Sequence, residues 1–240
     1  MVTTIATAPR SITATVPDFI VQWIEGLAPL PLTEAVPDPA RAAIFSADMI
    51  VGFCRCGNLA SPRIDALTEP VVDLFRRAYD LGVREFVLVQ DTHDPTTPEF
   101  RAWPEHCLRG TEESEMIPEL AALPFRGRFT VIPKNSLGPG YATTFDAWLD
   151  EHTAISTAIV VGDCTDLCTY NLAMHLRLRA NARNIGSFDV IVPANAVDTY
   201  DLSEETAREI GAFPHPGDFF HQVFLYHLAL NGIRVVRSLP

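Results

Sequence analysis

The chain has 240 residues, 48% of them apolar and 20% charged, enough to bury one substantial core and too few to require a second. Its formal charge of −12 comes without a basic block, which disfavours nucleic acid or an anionic lipid surface as a partner and suits a neutral or weakly charged small molecule. No stretch approaches the roughly 20 apolar residues of a membrane span, and the opening MVTTIATAPR lacks the apolar run of a signal peptide, so a cytoplasmic protein is expected. Five cysteines at irregular positions (54, 56, 107, 164 and 168) argue against a disulfide framework and leave room for one kept for its reactivity.

Residues 1–40 carry prolines at 9, 17, 29, 31, 37 and 39, so no long element can run through them. Phe19, Ile20, Trp23, Ile24 and Leu27 recur at helical spacing and predict one short amphipathic helix. This segment is expected to be an arm packed on the domain or on a neighbouring subunit, the latter making a homo-oligomer, because an exposed patch with Trp23 and Ile24 is costly. Residues 41–240 form the domain. Apolar runs at Ala42–Ala47, Phe86–Gln90, Phe129–Ile132, Ala158–Val161, Val190–Val192 and Ile233–Val236 predict six strands. Amphipathic stretches lie between them. One is expected to start at Ser61-Pro62 and end near Leu81-Gly82; another, through Tyr170, Ala173, Met174, Leu176 and Leu178, is expected to be capped by Thr165 or Asp166. Strand–helix alternation of this kind gives a mainly parallel sheet covered on both faces, a three-layer α/β/α sandwich.

In such folds ligands sit beyond the carboxyl ends of the strands. Asp48 follows the first run, Asp91 and His93 the second, and Lys134 the third; Cys168 opens the helix after the fourth. A cysteine at a helix N-terminus beside an ammonium group is expected to be partly thiolate. The thiolate can attack a carbonyl, Lys134 can hold it beside a carboxylate, and Asp48 can take the thiol proton and return it to a leaving amine. The plainer reading makes Cys168 a small buried helix residue, Asp48 a strand-end cap and Lys134 a solvated charge. Three such residues at three strand ends favour the catalytic reading. A second group, Asp91, His93, Glu99 and His106, offers two imidazoles and two carboxylates, a set suited to a borderline divalent ion. His215, His221 and His227 read as structural, since the last two are six apart and share no helical face.

These residues resemble the signature of bacterial nicotinamidases within the isochorismatase-like superfamily. Asp48 followed by Phe53 resembles the family's D-x-x-x-x-F, and the segment from Asp91 to Thr111 resembles D-x-H … W-P-x-H-C-x-x-G-T. Lys134 with Tyr141 resembles the family lysine and a pocket aromatic, and VVGDCTDLC resembles the run that ends in the nucleophile. The resemblance implies the α/β/α fold, Cys168 as nucleophile, Asp48 as acid/base and Lys134 as bridging cation. It implies one divalent ion, zinc or else iron or manganese, held by Asp91, His93 and His106, with Glu99 direct or through water. It also implies a cis peptide between Asp163 and Cys164, aiming the Cys164 N–H beside that of Cys168 at an oxyanion. Phe53, Trp103 and Tyr141 would sandwich a flat ring. The chain departs from the pattern at Ile50, where relatives carry glutamine, at Asp163 and Cys164, where they carry small apolar residues, and in its longer C-terminal part.

The expected activity is hydrolysis of a small amide, nicotinamide or a near relative. A metal-free hydrolase of isochorismate, carbamoyl or ureido compounds is the enzyme alternative, and an oligomeric binding protein using the same fold is the alternative outside enzymes.

Overall fold

The computed structural model describes residues 16–240, so the first part of the arm, Pro9 included, lies outside it. Among the described residues seven strands form one parallel sheet: β1 (Ala42–Ala47), β2 (Glu85–Asp91), β3 (Phe129–Lys134), β4 (Thr157–Asp163), β5 (Asp189–Pro193), β6 (Val197–Asp198) and β7 (Arg234–Val236). Their order is β3-β2-β1-β4-β5-β7, with β6 pairing the end of β4. The six apolar runs each became a strand. The seventh, β6, has two residues, too few to show any periodicity in the sequence.

Alternate residues of each strand feed two cores. Ile44, Leu88, Ile159 and Ile191 pack under the helix Thr68–Leu81, whose Val71, Phe75 and Ala78 face them. Phe45, Val87, Val160 and Val190 face the other way, against the helices Phe145–Glu151, Cys168–Ala182 and Gly217–Leu230. The result is the three-layer sandwich.

Two local expectations need correction, and of the two placements expected for the arm the structure shows one. The helix beginning at Ser61-Pro62 is interrupted: a turn of helix at Pro62–Asp65 precedes Thr68–Leu81. Pro70 explains the break, because it has no N–H to give the Ala66 carbonyl and its ring crowds that oxygen. The helix from Cys168 has no side-chain cap; Thr165 instead meets His221 and Asp166 meets His215. The arm, finally, is taken up by its own chain. Phe19 and Trp23 pack edge-on to Tyr226, at 5.8 and 5.3 Å between ring centroids, and Leu30, Leu32 and Val36 are buried in the core. Backbone bonds from Leu30 to Ser238 and from Leu32 to Pro240 tie it to the C-terminal residues. The apolar face that suggested a second subunit is therefore largely covered within one chain.

The carboxyl ends of β1 and β4 approach so closely that only glycine fits at position 162. Its φ is +105°, and a Cβ there would stand 1.9 Å from the Ala47 carbonyl oxygen. Asp48 follows Ala47 with a φ of 52°, a left-handed conformation uncommon outside glycine and asparagine, held by the bond from its N–H to the Val89 carbonyl. Gly162→Ala should therefore cost at least about 2 kcal/mol, since both the backbone angle and the space are wrong. Thermal melting of the variant would show it; an unchanged midpoint would mean that the β1–β4 ends are looser than described.

Candidate active site

The pairing registers bring the chemistry together. Asp91 and Lys134 are partners across β2 and β3, and Ala47, just before Asp48, faces Gly162, just before Asp163. The Lys134 side chain is 1% exposed, with its ammonium 2.9 Å from Asp48 Oδ2, 3.3 Å from Cys168 Sγ and in direct contact with Asp91 Oδ1. Asp48 Oδ1 also accepts a 2.6 Å hydrogen bond from the Asp91 N–H, which aligns the β1 carboxylate on β2.

Burial alone would strip the proton from Lys134, but the Asp48 and Asp91 carboxylates outweigh it and hold the group charged. Burial raises Asp48 to about 6, helped by Asp91 and opposed by Lys134. Asp91 is also pressed upward by burial, but Lys134 and His93 prevail and keep it ionised. Cys168 departs from expectation. It is the first residue of its helix, yet burial pushes its thiol well up, Lys134 opposing and the Asp48 and Asp91 carboxylates adding to the rise. The partial charge of a helix end and one ammonium do not offset desolvation beside two carboxylates. The resting thiol keeps its proton, and Asp48 stands against the same Lys134 ammonium as the sulfur.

The second group gathers beside the first. Asp91, His93 and His106 each offer a ligand atom, all within 4.8 Å of one another. His93 Nε2 lies 3.5 Å from Asp91 Oδ1, and His106 Nε2 3.9 Å from Asp91 Oδ2. The outward nitrogens are tied back: His106 Nδ1 donates to the Pro104 carbonyl at 2.8 Å, and His93 Nδ1 faces Asn135 Oδ1 at 3.3 Å. Such outer bonds fix each ring with the Nε2 lone pair turned inward, as a metal ligand requires. His93 Nε2 and Glu99 Oε1 are buried without a hydrogen-bond partner among the described residues, 3.9 Å apart. These residues fit a divalent ion. Glu99 stands beside His93 but outside the mutual set of three.

A cavity opens over both groups, lined by Asp48, Asp91, His106 and Cys168 below and by Phe53, Leu59, Trp103, Leu137, Leu167 and Tyr200 around. Of the three aromatics expected at the ring, Phe53 and Trp103 line this cavity. Tyr141 does not: the turn Gly138–Tyr141 folds its ring over Gly138 and leaves it 76% exposed, and Leu137 takes the wall position. The sequence reading missed Tyr200, which stands just past the strand it also missed; with β6 in view, the rule that ligands lie beyond strand ends would have found it. The peptide between Asp163 and Cys164 is cis. The Leu167 and Thr169 N–H groups both turn to the Cys164 carbonyl, while those of Cys164 and Cys168 find no backbone acceptor among the described residues. All five cysteines are free, and no described helix is long and apolar enough to cross a membrane.

A family model of the isochorismatase domain matches residues 42–212. Nicotinamidase 1 of Arabidopsis thaliana is 32% identical over 210 residues, covering 80% of this chain and 84% of that protein. Among solved structures, N-carbamoylsarcosine amidase from Thermoplasma acidophilum superposes with a TM-score of 0.60 at 25% identity, covering 82% of this chain and 96% of that one. The pyrazinamidase/nicotinamidase of Streptococcus mutans shares the fold with a TM-score of 0.63 at 23% identity, covering 81% and 99%. With its sheet order, its cysteine at the helix start and its family match over most of its length, the chain belongs to the isochorismatase family of hydrolases.

Proposed function

We propose that the protein is a metal-assisted cysteine amidohydrolase that converts nicotinamide, or a close heteroaromatic amide, and water into the acid and ammonia. One observation carries this reading: a buried Lys134 joins Cys168 and Asp48 to Asp91, and Asp91 belongs to a set of three fit to hold a divalent ion, all under one apolar cavity. The 32% identity to a nicotinamidase supports the choice of substrate.

The steps follow from the groups present. Asp48 takes the proton of Cys168, and the sulfur attacks the amide carbon. Negative charge then develops on the amide oxygen, where the N–H groups of Cys164 and Cys168 can receive it. Asp48 returns the proton to the departing ammonia, leaving a thioester on Cys168. Asp48 next takes a proton from water as the water oxygen attacks the thioester carbon; the C–S bond breaks, the acid leaves, and Asp48 returns that proton to the Cys168 sulfur. Lys134 keeps both Asp48 and the sulfur in place throughout, and its own proton is not spent. Asp91, His93 and His106, with Glu99 direct or through water, would hold zinc, iron or manganese; when bound, the ion supplies a Lewis-acidic position suited to a pyridine nitrogen. Phe53 and Trp103 flank the ring.

Cys168→Ala should lower turnover by at least ~10³-fold with the fold retained. Ammonia release and circular dichroism would check it, and substantial residual activity would remove Cys168 from the reaction. Lys134→Met should slow alkylation of Cys168 at every pH below the thiol's own titration, because removing the cation leaves two carboxylates that disfavour the thiolate. A rate–pH profile identical to wild type would contradict this. Chelation or His93→Ala should weaken nicotinamide hydrolysis far more than alkylation by a small reagent, and benzamide should be a much poorer substrate than nicotinamide. If purified protein carries no stoichiometric metal and chelators leave turnover intact, a metal-free hydrolase of carbamoyl, ureido or vinyl-ether substrates takes its place.

A further inference from the structure

Asp166 sits two residues before Cys168, in the turn that delivers the nucleophile, and its buried carboxylate accepts a 2.8 Å hydrogen bond from Nε2 of His215. The other ring nitrogen of His215 lies 2.8 Å from the Tyr200 carbonyl oxygen. The imidazole is stacked between two rings, 3.9 Å from Tyr200 at 14° and 4.4 Å from Phe220 at 17°. Its backbone is held as firmly: His215 and Leu202 exchange both N–H···O bonds at 2.8 Å, and Pro214 and Pro216 flank it. Gly217 continues this close fit, since a Cβ there would come within 2.7 Å of the Tyr200 carbonyl oxygen.

Tyr200 lines the reaction cavity beside Trp103, whose indole faces its hydroxyl. Burial raises that hydroxyl to about 12, so it stays neutral. Trp103 belongs to the loop that carries Glu99 and His106. A single imidazole thus joins the turn behind Cys168 to the ring wall on the metal side, and it does so without lining the cavity itself. Asp166 Oδ1 has no hydrogen-bond partner among the described residues and Oδ2 has His215, so loss of His215 would leave a buried carboxylate with no hydrogen bond. The link between that turn and the Tyr200 wall would then be gone, and the wall would be free to shift relative to Cys168.

We propose that His215 is a positioning residue: it fixes the separation between Cys168 and the Tyr200–Trp103 wall, and through that separation it sets the preference for amides that carry a ring. The proposal rests on the amidohydrolase reading above. A displacement of about 1 Å at this wall is enough to cost roughly 100-fold for a substrate held by it.

The test compares wild type with His215→Phe, which keeps the stacking surface and loses both nitrogen bonds, and with His215→Gln, which keeps an N–H for Asp166. Full-length, metal-loaded protein would be assayed for ammonia release from nicotinamide and from propionamide. Alkylation of Cys168 by iodoacetamide and by N-benzyl iodoacetamide would be followed alongside. His215→Phe should raise KM and lower kcat/KM for nicotinamide by roughly 100-fold, and should lose the preference for the benzyl reagent. Propionamide turnover and the iodoacetamide rate should change only a few-fold, and His215→Gln should recover most of the loss. Equal losses on ring and small substrates, or none, would overturn the proposal, the first by showing a purely structural role. If His215→Phe does not fold, Asp166→Asn should give the same split at smaller size, and its absence there would also overturn it. If wild type releases no ammonia from nicotinamide, the substrate reading falls, and the ratio of the two alkylation rates still decides on His215.

Discussion

The site depends on one buried ammonium. Lys134 ends β3, and its charge meets Asp48 from the end of β1, Asp91 from the end of β2 and Cys168 from the helix after β4. Neighbouring parallel strands end side by side, so the sheet itself supplies the spacing, and no long loop has to find it. A cation so deeply buried is stable only where carboxylates surround it, and carboxylates so close are tolerated only around a cation. Each group is therefore the reason the others can be there.

The charges do not fully cancel, and that surplus shapes the rest of the site. Burial first, then Asp91, leaves Asp48 at about 6, a value that suits the proposed role of a base that returns its proton near neutral pH. Burial, with the same carboxylates adding to it, keeps the Cys168 thiol protonated, so in the proposed reaction the proton transfer that makes the nucleophile belongs to turnover and not to the resting protein. Asp91 faces both ways, toward Lys134 and toward His93 and His106, which couples the cysteine machinery to the place where a divalent ion fits. Asp163 is another consequence. Burial, then the Asp48 charge, raises it far above the usual carboxylate range, so the acid that replaces an apolar residue of the family stays neutral beside the cavity.

Much of this was legible in the sequence, because a parallel strand buried on both faces writes a continuous apolar run, as in β1 and β4, and the chemistry sits just past its end. Asp48, Asp91, Lys134 and Cys168 could be read that way. What escaped reading was set by contacts remote in sequence. Tyr200 follows a strand of two residues that exists only because β4 is there to pair with it. The pairing of Asp166 with His215 spans 49 positions and takes up one of the two side chains, Thr165 or Asp166, that local rules offered as the helix cap. Tyr141 has the spacing of a pocket aromatic, but its own turn over Gly138 sends it outward. The state of the Cys168 thiol was misjudged for a similar reason: a helix start is visible in sequence, whereas the depth of burial and the number of carboxylates nearby are not.

The central claim is that Cys168 carries the acyl group between the amide and water. Rapid acid quench of the protein mixed with nicotinamide, followed by peptide mass spectrometry, tests it most directly. The account predicts a nicotinoyl thioester on the peptide containing Cys168, formed before ammonia release reaches steady state and lost on treatment with hydroxylamine. An acyl group on Cys54, Cys107 or Cys164 instead, or steady turnover with no acylated cysteine at any time, would contradict it.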